Sequence, residues 1–87
     1  MKPEQLYQHL IELAEKLDIT VWEQNLRMTG VKAKSGFCKI KGKSVFIMDK
    51  HKSTDEKIEM LATCLGKIPH EDVYIIPAVR EFILKFT

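Results

Sequence analysis

Apolar residues recur at helical spacing near the N-terminus. Leu6, Leu10, Leu13 and Leu17 form one stripe, widened by Tyr7, Ile11 and Ala14. Gln8, Glu12, Glu15 and Lys16 fill the other side. Pro3 suits a first-turn position and Glu4 complements the helix N-terminus, so a helix is predicted over residues 3–17. Asp18 follows, and the β-branched and aromatic run Ile19-Thr20-Val21-Trp22-Glu23 predicts a strand. From Asn25 to Ser35 the pattern dissolves. Gly30, Ser35 and Gly36 predict a loop there, with room for a short piece of strand.

Phe37 to Ile40 and Ser44 to Asp49 predict a hairpin around Lys41-Gly42-Lys43, closed by a two-residue turn that uses Gly42. An even-length turn places Cys38, Ile40, Val45 and Ile47 on one face. That face is wholly apolar and is expected to be core. Phe37, Lys39, Lys41, Phe46 and Met48 share the opposite face, which is expected outside it unless a helix covers the apolar members. A one-residue change in the turn would break this sorting.

Ser53 and Glu56 match a capping box, and Thr54 is an alternative cap. Ile58, Leu61, Ala62 and Leu65 then make the buried stripe of a second helix. Gly66 is placed to end it in a left-handed conformation. Val73-Tyr74-Ile75-Ile76 predicts a short fourth strand. Pro77 opens a last helix through Phe86, with Val79, Phe82, Ile83 and Phe86 on one face and Leu84 off it as an extra contact point.

The predicted order is therefore α-β-β-β-α-β-α. Residues 1–87 are read as a single small α+β domain, with about four strands in a largely antiparallel sheet and three helices on one face. The expected core is Leu6, Leu10, Leu13, Leu17, Val21, Cys38, Ile40, Val45, Ile47, Ile58, Leu61, Leu65, Ile75, Val79 and Phe82. Polar substitution at Ile47 or Leu61 is expected to abolish folding.

Composition narrows the setting. No apolar run reaches the length of a membrane span. Pro3 and Glu4 stand where a signal peptide would carry basic and then apolar residues, so a cytoplasmic location is expected. The two cysteines, Cys38 and Cys64, are too few for a disulfide scaffold and both lie in apolar patterns, so buried free thiols are expected. Cys64 also comes late in its helix, where the dipole opposes a thiolate.

Charge is distributed unevenly. The net charge is only +2, but residues 27–52 hold eight basic side chains against one acid, Asp49. Lysines interleaved with Phe37 and Phe46 would contact phosphates and stack on bases. Lys39, Lys41, Lys43, Lys50 and Lys52 are therefore candidate polyanion-binding residues. The alternative is a solvated face whose lysines discourage edge pairing. Arginine, the favoured reader of base edges, is nearly absent from this stretch.

No catalytic motif stands out. His9, His51 and His70 are not paired at a ligand spacing and there is no Cys-x-x-Cys. A group of Cys38, Asp49 and His51 is not required by any spacing. The glycines are spread singly, without a phosphate-binding loop. Arg80 and Glu81 open the last helix, where Arg80 either holds an acidic group of this chain or of a second subunit, or forms an ordinary surface pair. No catalytic, cofactor-binding or metal-binding residue is expected.

Leu61-Ala62-Thr63-Cys64-Leu65-Gly66-Lys67-Ile68 resembles the active helix of the small zinc metallopeptidases that cleave phage-type repressors, which reads Leu-Ala-His-Glu-Leu-Gly-His-Ile. That resemblance implies their fold, but the two zinc histidines and the glutamate base are replaced by Thr63, Lys67 and Cys64, so no peptidase activity is expected. An amphipathic helix ending at glycine also produces Leu-Ala-x-x-Leu-Gly. Over most of its length, through Gly36-Phe37-Cys38-Lys39-Ile40-Lys41-Gly42 and Tyr74 to Arg80, the chain resembles small bacterial proteins of unknown function. The leading expectation is a non-enzymatic binding module whose partner is another protein or a second copy. Nucleic-acid binding is the alternative, with no role in a membrane. An enzyme with an unfamiliar site around Cys38, Asp49, Cys64 or Arg80 is a third.

Overall fold

A computed structural model describes residues 1–25 and 36–86. The expected loop with Arg27, Lys32 and Lys34 lies outside the described residues. The elements are α1 (Pro3–Lys16), β1 (Ile19–Gln24), β2 (Gly36–Ile40), β3 (Lys43–Asp49), α2 (Thr54–Gly66) and α3 (Pro77–Leu84). They form a small α+β domain of three helices and a three-stranded sheet.

Local chemistry sets the element boundaries. At the start of α1, the Lys2 backbone N–H donates to Gln5 Oε1 at 3.2 Å. Asp18 turns the chain from α1 into β1 with a positive φ of 63°, a region that Asp tolerates better than most residues. The expected capping box opens α2: Glu56 N–H donates to Ser53 Oγ at 3.2 Å, and Ser53 N–H donates to Glu56 Oε1 at 3.3 Å. Gly66 is the last residue of α2 but is not left-handed. The cap is Lys67, in the right-handed region at φ −89°.

The hairpin has the expected register. Cys38 pairs with Val45 and Ile40 with Lys43. Lys41 and Gly42 make the turn with φ of 51° and 80°, the two positive values that a type I′ turn requires. β1 adds to the far side of β3 and runs parallel to it, with Val21 opposite Phe46. The sheet order is β1-β3-β2, so the sheet is mixed rather than largely antiparallel.

Two expectations fail here. Residues 73–76 do not join the sheet. A turn returns Val73 N–H to His70 C=O, and Ile75 inserts into the core beside Val79 to anchor the start of α3. An apolar run that packs by a single side chain has the composition of a strand without its pairing. The sheet also presents its other face to the helices. Phe46 and Met48 join Ile19, Leu10, Leu13, Ala14, Ile58, Leu61, Leu65, Val79 and Ile83 in the core cluster. Cys38, Ile40 and Ile47 are only half-buried, and Val45 is buried but outside that cluster. Both faces of β3 are apolar, so alternation fixed which residues share a face but not which face the helices cover.

The helical core follows expectation more closely. Leu10, Leu13, Ile58, Leu61, Leu65, Ile75 and Val79 are buried, while Leu6, Leu17, Val21 and Phe82 pack against the cluster from its margin. Ile83, rather than Phe82, joins Val79 as a fully enclosed residue of α3. Leu84 is 59% exposed, as its off-stripe position implies. Among the described residues, no helix is long and apolar enough to cross a membrane.

Candidate functional site

β2 is an edge strand among the described residues, with β3 on one side only. Its helix-facing side chain, Phe37, is 47% exposed although it is opposite the buried Phe46. Phe37 is exposed because α2 stands back from the sheet edge there, leaving a groove of about 740 Å³. Phe37 and Phe46 supply its sheet wall, Met60 and Cys64 its α2 wall, and Ile68 just past α2 and Phe86 just past α3 also line it. Phe86 is held by a tilted contact with Phe82, with ring centroids 5.2 Å apart. Glu59, Thr63 and Lys67 place polar atoms on the lining.

The groove is lined mainly by apolar side chains. Thr63 Oγ1 donates to the Glu59 carbonyl at 2.7 Å, which occupies the hydroxyl within its own helix. Burial pushes the Cys64 thiol pKa upward, and the nearby Lys67 charge only partly opposes this. A thiol in that state is a poor nucleophile. Thr63, Cys64 and Lys67 are the three positions that match the metallopeptidase motif, and all three line the groove.

The candidate lysines do not form one patch. Lys39, Lys41 and Lys43 sit around the hairpin turn, whereas Lys50 and Lys52 follow the other end of β3. Seven strand residues separate these ends, roughly 20 Å at strand rise. Lys52 pairs with Glu56 at 3.7 Å. At the turn, Lys43 and Gly42 share a polar hollow with Glu15 and Asp18, so carboxylates from the α1–β1 corner face the hairpin tip.

The remaining candidates are dispersed. Cys38 pairs with Val45, four residues along β3 from Asp49 and about 13 Å away at strand rise. The Cys38, Asp49 and His51 group is therefore not assembled. Asp49 instead accepts the His51 backbone N–H at 3.0 Å. His9 lies 3.7 Å from Glu12, and His70 Nδ1 is 2.7 Å from the Ile68 carbonyl. Among the described residues, no three His, Cys, Asp or Glu side chains converge to hold a metal ion, and Arg80 is in no ion pair.

A cluster that sequence reasoning missed joins α1, β1 and α2. Tyr7 Oη donates to Glu23 Oε1 at 3.3 Å, Lys57 Nζ contacts the same oxygen, and Lys57 stands 5.7 Å from the Tyr7 ring centroid. Desolvation, reinforced by the Glu23 charge and hydrogen bond, raises the Tyr7 pKa well above its ordinary value. The three residues are far apart in sequence, and only the parallel placement of β1 brings them together. The groove was missed for a related reason: Phe37 was legible as a strand residue, but its gap from α2 was not.

No protein-family model matches the chain, and no curated protein or solved structure matches it.

Proposed function

We propose that the protein is a non-enzymatic binding module that receives an extended polypeptide segment along β2, with apolar side chains of that segment seated in the groove. The observation that carries this reading is a strand edge, open among the described residues, directly beside an apolar groove. The β2 edge offers backbone hydrogen bonds, and Phe37, Met60 and Ile68 offer a place for alternate side chains. The free thiols fit the expected cytoplasmic setting.

Panning a displayed library of short peptides tests the proposal. Enrichment of sequences with alternating apolar residues, lost when Phe37 is changed to Glu, is the expected result. A library that enriches no such pattern, or binding indifferent to Phe37→Glu, contradicts it. The position of Thr63, Cys64 and Lys67 on the groove wall supports a further reading of the same cleft, as that of a metallopeptidase-like fold that binds without hydrolysing.

Polyanion binding is the second reading, and the exposed Lys39, Lys41 and Lys43 around one turn favour it. Its mark is oligonucleotide affinity that falls steeply with salt and is reduced when these three lysines are neutralised. The carboxylates facing the tip weigh against tight binding.

A further inference from the structure

The two-residue turn determines which backbone groups of β2 face away from β3. Such a turn closes on a hydrogen-bonded pair, here Ile40 with Lys43. Hydrogen-bonded and non-hydrogen-bonded pairs then alternate, so Cys38 with Val45 and Gly36 with Ile47 are bonded, while Phe37 with Phe46 and Lys39 with Ser44 are not. The N–H and C=O groups of Phe37 and Lys39 therefore point outward from the edge. These two residues also share the face that borders the groove.

We infer that the segment received at this edge is β2 of a second copy of the chain, paired antiparallel about a two-fold axis at Cys38. This rests on the strand-binding reading above and names its partner. In this register Phe37 of each copy lies opposite Lys39 of the other, and all four outward groups on each strand are used. The matching is self-complementary, as a two-fold interface requires.

Charge supports the same register. Glu59 lines the same groove as Phe37 and is in no ion pair among the described residues; nor is Lys39. A lysine opposite Phe37, with Cα atoms about 5.5 Å apart, extends along the aromatic ring toward that carboxylate. The pairing joins two three-stranded sheets into one of six and covers the exposed Phe37 of both copies. It also makes Cys38 of the two copies a non-hydrogen-bonded pair, with Cα atoms about 4.5 Å apart, within the span a disulfide bridges.

Sedimentation equilibrium combined with thiol oxidation tests the inference. The expected result is a species of twice the 10.1 kDa chain mass. Diamide, which takes the two thiol hydrogens, is expected to link Cys38 to Cys38, as read by peptide mapping. Lys39→Pro removes an outward N–H without touching the ladder to β3 and is expected to weaken association at least about tenfold, the scale of one lost backbone bond. Lys39→Glu is expected to do the same, and Glu59→Lys added to it to restore the dimer. Melting curves check that each variant is folded. A dimer indifferent to these changes, or bridged through Cys64, overturns the inference. A chain that stays monomeric at millimolar concentration also overturns it. In that case, peptide enrichment that depends on Phe37 leaves the strand-binding reading standing, and its absence removes both.

Discussion

At the scale of single residues, a few enclosed side chains carry most of the stability. Leu61 is fully buried between α2 and the rest of the core. Leu61→Ala is expected to cost about 2–5 kcal/mol in chemical denaturation. Met48, equally enclosed, takes over the weight expected of Ile47: Met48→Asp is expected to abolish the cooperative transition, whereas half-buried Ile47 is expected to tolerate the same change better. Two ionisable groups link stability to pH in opposite directions. The Ser53 backbone N–H and hydroxyl, and then Lys52, hold the Glu56 carboxyl below its ordinary value of 4.5. The folded state thus sheds this proton more readily than the unfolded one, so the contribution is present above pH 4.5 and lost as pH falls below it. Glu56→Gln is expected to flatten the acid side of a stability–pH curve. Tyr7 acts at the other end. Its pKa is raised above 10.0, chiefly by burial, so its contribution is present below that pH and lost as pH rises past it. Tyr7→Phe is expected to reduce the alkaline decline, measured by melting temperature above pH 10.

At the scale of elements, caps and turns explain why each segment starts and stops. Ser53→Ala removes the α2 cap and is expected to cost about 1 kcal/mol. Lys41 holds a left-handed conformation that suits Asn or Gly better, so Lys41→Asn is expected to raise stability by a few tenths to about 1 kcal/mol in the same assay. Features carried by neighbours in sequence were legible in advance: the α1 stripe, the Ser53–Glu56 box, the hairpin register and the Pro77 start of α3. Features set by packing were not. Val73 to Ile76 have strand composition, but only Ile75 is buried and no strand edge meets them. The apolar character of both Cys38/Val45 and Phe46/Met48 hid which side of the hairpin α1 and α2 would cover. The parallel pairing of β1 with β3 also has no local signal, since it depends on which edge of a finished hairpin the earlier strand joins.

At the scale of the whole molecule, topology decides what the described residues leave open. β1 occupies one edge of β3, α1 and α2 cover one face, and the β2 edge and its groove remain beside each other. The same topology divides the basic residues between opposite ends of the hairpin and faces one end with Glu15 and Asp18. The lopsided charge along the sequence therefore does not become a single basic surface among the described residues. The groove was the least legible feature, because Phe37, Met60, Ile68 and Phe86 come from three parts of the chain and no local pattern marks the gap between them. Residue-resolved amide exchange across a protein dilution series reads directly whether the β2 edge is filled. Phe37 and Lys39, whose amides point outward, are expected to exchange faster than Cys38 and Ile40 in dilute protein and to become protected as the β2 edge is filled at high concentration. Phe37 and Lys39 amides that are already protected in dilute protein, or that stay unprotected at every concentration and with every enriched peptide, would contradict strand binding at this edge.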